Sequence, residues 1–170
     1  LQELYAEMLE DEHGSLWSQD MLSKAHAQAP TLPLSRIVVA IDPAVTSKSG
    51  SDETGIIVAG LDQEGRGVIL EDLSCKGSPS QWIQVAIEAY RKFEADRIVA
   101  EVNQGGDMVE DMLRSVDSSV SFKSVRATRG KAIRAEPIAA LYERSQVLHV
   151  KAFPTLEAQL VSYVPHLSKK

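Results

Sequence analysis

Three apolar, β-rich runs follow one another closely: RIVVAID (36–42), GIIVAGLD (55–62) and GVILEDLS (67–74). The last two are separated only by QEGR, a Gly-containing loop of hairpin length. Hairpins must therefore join the three as an antiparallel meander. The strands that come later are each reached through a helix, so each lies parallel to a neighbour. The expected architecture is α/β: a mixed sheet with helices on both faces.

The remaining elements fit this order. Ser78-Pro79-Ser80-Gln81 reads as a helix start, with Ser78 as N-cap, Pro79 at the first helical position and Gln81 completing a capping box. Trp82, Val85, Ala86, Ala89, Tyr90 and Phe93 form the apolar stripe of that helix. A strand follows at 97–103, then a Gly105-Gly106 turn and a helix capped by Asp107 and Glu110, with Val109, Met112, Leu113 and Val116 inward. A strand near 122–127, a helix near 135–145 and a short strand at 147–150 come next. Thr155 is expected to cap a last helix that ends before Pro165. Upstream, Leu1, Leu4, Tyr5, Met8 and Leu9 mark one helix face, and a second short helix covers Ser18 to Ala27. AQAPTLPLS, with two prolines, reads as a linker and places a boundary near residue 34.

Composition excludes some classes. One cysteine, Cys75, cannot form an intramolecular disulfide or a structural zinc cluster of cysteines. No apolar run approaches the roughly 20 residues a membrane helix needs. The net charge of −6 weighs against nucleic acid only until its distribution is read. Residues 1–12 hold five acids and no base, whereas KSVRATRGKAIR (123–134) holds five bases and no acid. A local basic stripe therefore survives.

Two carboxylates stand out. Ile37 to Ile41 run straight into Asp42, and Ile98, Val99 and Ala100 lead into Glu101 with Val102 beyond. A carboxylate among core residues is costly unless it is paired or bound to metal. If strands 36–42 and 97–103 are parallel neighbours, Asp42 and Glu101 face each other near their carboxyl ends, where open α/β sheets place their sites. Two close carboxylates repel unless a divalent cation holds them, and hard oxygen donors suit Mg²⁺ or Mn²⁺. The alternative is structural, with Asp42-Pro43 as a strand stop and Glu101 paired with an arginine. Asp52, in the polar loop after Asp42, is either an auxiliary ligand or the cap of the turn into strand 55–62. Arg126, Arg129, Lys131 and Arg134 lie in a strand-to-helix connection around Gly130, suited to phosphates without base readout. The four histidines are scattered, without metal-ligand spacing, and carry no catalytic expectation.

Taken together, VVAIDPAVTSKSGSDETGIIVAG, IVAEVNQGGDMVEDML and ATRGKAIRAEPIAALYE resemble the nuclease domain of tailed-phage large terminase subunits, in the branch found in prophages and gene-transfer agents. The resemblance covers roughly residues 36 to 165. It implies an RNase H-like fold over 35–170 and a two-metal endonuclease, using Mg²⁺ or Mn²⁺, that cuts concatemeric double-stranded viral DNA during packaging. It assigns Asp42 as the acid bridging both metals and Glu101 as a ligand of one. It implies DNA contacts for Arg126, Arg129, Lys131 and Arg134. YAEMLEDEHGSLWSQDML resembles the segment joining the packaging ATPase to the nuclease, so residues 1–34 are expected to be a helical linker from that motor.

Implied partners are DNA, the portal, the small terminase subunit and the chain's own ATPase domain, in the cytoplasm of a bacterial host and away from membranes. The family's third acid belongs to an SPDRxDA-type motif expected after YVPHLSKK, beyond Lys170, so the site is expected to be incomplete within these residues. Glu157 is a poor substitute. Two other readings stay open: a catalytically incomplete module docking on portal or motor, and a junction-resolvase-type nuclease of the same fold. An actin-like ATPase is disfavoured because AVTSKSGSDETG lacks the glycine pattern of a phosphate hairpin.

Overall fold

The computed structural model describes residues 14–44, 53–102 and 106–165. The expected helix around Leu1–Leu9, together with Asp52, His13 and His166, lies outside the described residues.

The chain forms α1 (Gln19–His26), β1 (Arg36–Asp42), β2 (Glu53–Leu61), β3 (Gly67–Asp72), β4 (Cys75–Lys76) and α2 (Pro79–Lys92). These are followed by β5 (Arg97–Glu101), α3 (Gly106–Val116), β6 (Phe122–Val125), α4 (Lys131–Glu143), β7 (Val147–His149) and α5 (Pro154–Ser162). The sheet runs β6-β5-β1-β2-β3-β7, with β4 paired to β2. β1, β2 and β3 are an antiparallel meander, and β5, β6 and β7 are parallel to β1, β5 and β3 respectively. Connection length alone gave that pattern. The hairpins are too short for a crossover, and each helix returns the chain in the same direction.

Strand alternation divides the residues between two cores. Val39, Ile41, Ile56, Val58, Ile98 and Ala100 face α2 and α3, where Trp82, Ile83, Ala86, Ile87, Val109 and Leu113 close a buried layer. Each fully buried aliphatic side chain of this kind contributes about 1.5–3 kcal/mol. The opposite face is covered more sparsely by α1, α4 and α5. There Trp17, Leu22 and Ala25 share a cluster with Ala139, Tyr142, Val147 and Val161. Residues 14–26 thus pack against the sheet-bearing body.

Local chemistry sets the ends of the elements. Ser18 Oγ accepts from Met21 N–H at 3.2 Å and opens α1. Gln81 Oε1 accepts from Ser78 N–H at 2.7 Å and opens α2. Gly60 lets β1 and β2 approach closely, since a Cβ there would stand 2.6 Å from the Arg36 carbonyl oxygen. Where β2 turns into β3, Asp62 is buried and accepts from the N–H groups of Thr31 (3.1 Å), Glu64 (3.0 Å) and Arg66 (2.9 Å). The Arg66 guanidinium donates to Asp62 Oδ2 at 3.0 Å and to Gln28 Oε1 at 2.6 Å. The hairpin is thereby tied to the segment that follows α1.

Three helix starts differ from the sequence reading. α3 begins at Gly106, so Asp107 is inside the first turn rather than ahead of it. α4 begins at Lys131, four residues before the expected start, with Gly130 as N-cap and Pro137 inside the helix. In this interior position Pro137 cannot donate to the Ile133 carbonyl and its ring crowds that oxygen, so the helix carries it at a local cost. α5 begins at Pro154, whose ring suits the first helical position, and this moves the cap from Thr155 to Phe153.

Candidate functional site

Register brings the two strand-end acids together. Ala40 pairs with Val99 and Ile41 with Ala100 in the parallel β1–β5 ladder, so Asp42 and Glu101 follow side by side at the carboxyl ends. Both lie on the sheet face opposite the α2–α3 core, since their neighbours Ile41 and Ala100 point into it. That face holds a cleft of about 470 Å³ lined by Asp42, Glu53, Asp72, Ser74 and Glu101, with Leu156 and Gln159 of α5 along one side.

Asp72 and Glu53 were not singled out from sequence. Asp72 reaches the cleft because it pairs with Ile57, which itself pairs with Ala40. A signal for it existed, because VILED ends an apolar strand in acid just as VVAID does. Ser74 N–H donates to Asp72 Oδ1 at 3.1 Å, which fixes that carboxylate.

The acids are in electrostatic conflict. Asp42 has its pKa raised, first by desolvation at the strand end and then by the negative charge of Glu101. Arg134 and Lys131 oppose that rise. The early start of α4 puts both residues in its first turn instead of in a loop. From there Arg134 Nη1 donates to Glu101 Oε2 at 3.0 Å. The positive end of the α4 dipole adds to the field these acids feel.

The expected basic group is divided. Arg126, Arg129 and Arg134 line a small hollow with Glu101, Val125 and Thr128. Lys131 Nζ instead sits over the Tyr163 ring, 5.2 Å from its centroid.

Glu157 is not in the cleft. It is buried on another face of α5, where it accepts from Phe153 N–H at 2.6 Å and meets His26 and His149. Sequence reasoning dismissed these histidines because their spacing has no pattern. Three separate elements bring them together.

The donor chemistry of the cleft fits hard divalent cations. Its polar side chains are four carboxylates, the Ser74 hydroxyl and the Gln159 amide, with no imidazole or thiol among the described lining residues. Asp42 and Glu101 are the pair best placed to hold such ions.

The family model described as "Terminase RNaseH-like domain" matches residues 39–168. The chain belongs to that family. Among solved structures it is similar to the large terminase nuclease from thermophilic phage G20c, with 15% identity and a TM-score of 0.58 over 86% of this chain and 80% of that one. It is similar to the human cytomegalovirus terminase nuclease domain, with 16% identity and a TM-score of 0.55 over 90% and 80% of the two chains. A variant nuclease domain of the large terminase subunit gp2 of bacterial virus Sf6, with manganese and beta-thujaplicinol, gives 14% identity and a TM-score of 0.52 over 92% and 70%. No curated protein matches the sequence. At these identities the structural likeness establishes an RNase H-like fold, as the resemblance implied and in agreement with the mixed sheet read from the strand order. No helix among the described residues is long and apolar enough to cross a membrane.

Proposed function

We propose that this chain is the metal-dependent endonuclease domain of a large terminase subunit, cutting concatemeric double-stranded viral DNA during genome packaging. The observation that carries the reading is the Asp42–Glu101 pair, set at adjacent strand ends in an open, oxygen-lined cleft with guanidinium groups beside it. Family membership and the likeness to terminase nucleases support it.

Asp42 and Glu101 would hold Mg²⁺ or Mn²⁺ in a two-metal site; the manganese bound by the Sf6 domain agrees with such a choice. Bound cations of this kind supply water activation and stabilise charge on the phosphate. Glu53 and Asp72 add negative potential from the same lining. Arg126 and Arg129 face phosphates at the rim and hold the duplex without reading bases. Lys131, at the foot of α4, adds to the positive field. Arg134 exchanges Glu101 for phosphate when DNA and metal arrive. Asp52 and an aspartate beyond Lys170 are proposed as further ligands. The portal, the small terminase subunit and an ATPase domain joined through the linker of residues 1–34 are the proposed partners, in the host cytoplasm.

The test is nicking of supercoiled plasmid with Mn²⁺, Mg²⁺ or EDTA, using this chain and a form extended past Lys170. Cleavage that needs metal and disappears in both Asp42→Asn and Glu101→Gln is the expected result. The Arg134–Glu101 ion pair favours a second reading, a docking module that does not cut, because it occupies an oxygen that a cation would need. Folded protein of both lengths that leaves plasmid intact under every metal would select that reading.

A further inference from the structure

Away from the acid cleft, three ligand-bearing side chains converge from three elements. His26 closes α1, His149 ends β7, and Glu157 sits in the first turns of α5. One ligand atom from each lies within 4.8 Å of the others. His26 Nε2 is 2.9 Å from Glu157 Oε1, and His149 Nδ1 is 3.4 Å from Glu157 Oε2. Each imidazole thus already meets one Glu157 oxygen, and the ligand atoms, spread over at most 4.8 Å, close toward the roughly 3.3 Å spacing of tetrahedral zinc ligands when an ion enters.

The surroundings match what an imidazole–carboxylate metal site requires. His149 and Glu157 are 3% and 4% exposed, so neither is a casual surface group. His149 Nε2 is 2.6 Å from the Tyr142 hydroxyl, which is also buried. That hydroxyl can donate to Nε2 or accept from it. The ring can therefore carry its proton on Nε2 and leave the Nδ1 lone pair for a cation, with orientation fixed by an outer partner. Glu157 is held in turn by the Phe153 N–H at 2.6 Å. His26 is the exposed member and borders a cleft of about 450 Å³ lined by Gln19, Ser23, Ala27 and Ala152 among others. An ion has a way in, and a water has room as a fourth ligand.

We propose that His26, His149 and Glu157 form a zinc-class transition-metal site that fastens α1 to the RNase H-like body. Its nitrogen-rich donor set is softer than the carboxylate cleft, so the two sites select different ions. The inference stands apart from the nuclease reading, since it uses none of the cleft residues. Its consequence is mechanical. A bound ion links residue 26 to residues 149 and 157, making attachment of the α1 segment depend on metal.

The experiment uses the whole chain, stripped with EDTA and dialysed, with unfolding temperature followed against equimolar Zn²⁺, Co²⁺ and Mg²⁺. Zn²⁺ and Co²⁺ should raise the transition, Mg²⁺ at that concentration should not, and Co²⁺ should show visible ligand-field bands. His26→Ala changes an exposed residue and should fold, yet bind Zn²⁺ at least about tenfold more weakly. Glu157→Gln should behave alike, and Asp42→Asn should keep the full shift. The proposal is overturned if Zn²⁺ gives no shift, if His26→Ala shifts as the parent does, or if Asp42→Asn abolishes the shift.

Discussion

Arg134 Nη1 donates to Glu101 Oε2 at 3.0 Å, so a cation from the first turn of α4 occupies a carboxylate at the end of β5. Both side chains are partly exposed, at 43% and 25%. An ion pair of this kind contributes at most about 1 kcal/mol to the fold. Its significance is competition: phosphate and metal must each replace one of its bonds.

Arg134→Gln should therefore change binding more than stability. Half-saturation by Mn²⁺, read by calorimetry, should move to lower concentration because Glu101 is released. Duplex affinity should fall at every sequence, and the slope of log K against log salt should shrink by about 1. Tighter DNA binding in the variant would remove Arg134 from the phosphate path.

Asp42 gives a pH signature. Its folded pKa is raised by desolvation and by Glu101, so the folded chain holds this proton more tightly than the unfolded one. The sign follows from linkage: without metal, ionised Asp42 destabilises the fold as pH rises through the folded value, and the penalty vanishes below about 3.8, the unfolded value. Asp42→Asn should thus be more stable than the parent at pH 8 in EDTA and nearly equal to it in acid. Urea unfolding at the two pH values measures this. The same variant should lose the stabilisation that Mn²⁺ gives the parent.

Much of this site was legible because strand alternation and short connections are local rules. The apolar runs ending at Asp42 and Glu101 specified both the acids and the strands, and the antiparallel-then-parallel order made those strands neighbours. What escaped depended on distance in the chain. Asp72 ends its apolar run as Asp42 does, but its place in the cleft comes from a register with Ile57 that no local rule gives. Arg134 was read as a connection residue because the helix was expected near 135–145, whereas it begins at Lys131. His26, His149 and Glu157 are 131 residues apart at the extremes, and only packing of α1 on β7 and α5 joins them.

Gly60 tests how closely β1 and β2 are packed. A Cβ at this position meets the Arg36 carbonyl oxygen at 2.6 Å and a Leu34 methyl carbon at 3.1 Å. Backbone cannot move aside as a flexible side chain can, so the strand pair has to spread. Gly60→Ala should cost about 1–3 kcal/mol, the range for overpacking a closed interior. Thermal unfolding measures the loss; an unchanged transition would mean the ladder has slack at that point.

Asp62 and Arg66 form the buried pair that anchors the residues after α1. Burial opposes ionisation of Asp62, but the N–H groups of Thr31, Arg66 and Glu64 and the Arg66 guanidinium outweigh it and hold its pKa low. An acid depressed in this way stabilises the fold above its unfolded value near 3.8, and that contribution disappears as pH falls through the lower folded value. Asp62→Ala removes the buried charge partner of Arg66, only 9% exposed, and leaves it the exposed Glu64 carboxylate at 2.8 Å. The expected loss is about 1–3 kcal/mol near neutral pH, since the N–H groups of Thr31, Glu64 and Arg66 lose their buried acceptor while Glu64 still pairs with the guanidinium. Because Arg66 also holds Gln28 and the Ala29 carbonyl, protease cleavage around residues 28–34 should rise together with that loss. Denaturant unfolding at pH 7 and pH 3, with limited proteolysis in parallel, separates the two effects. A variant that loses stability without new cleavage at 28–34 would show that Trp17 and the α1 residue Leu22 hold this segment in place.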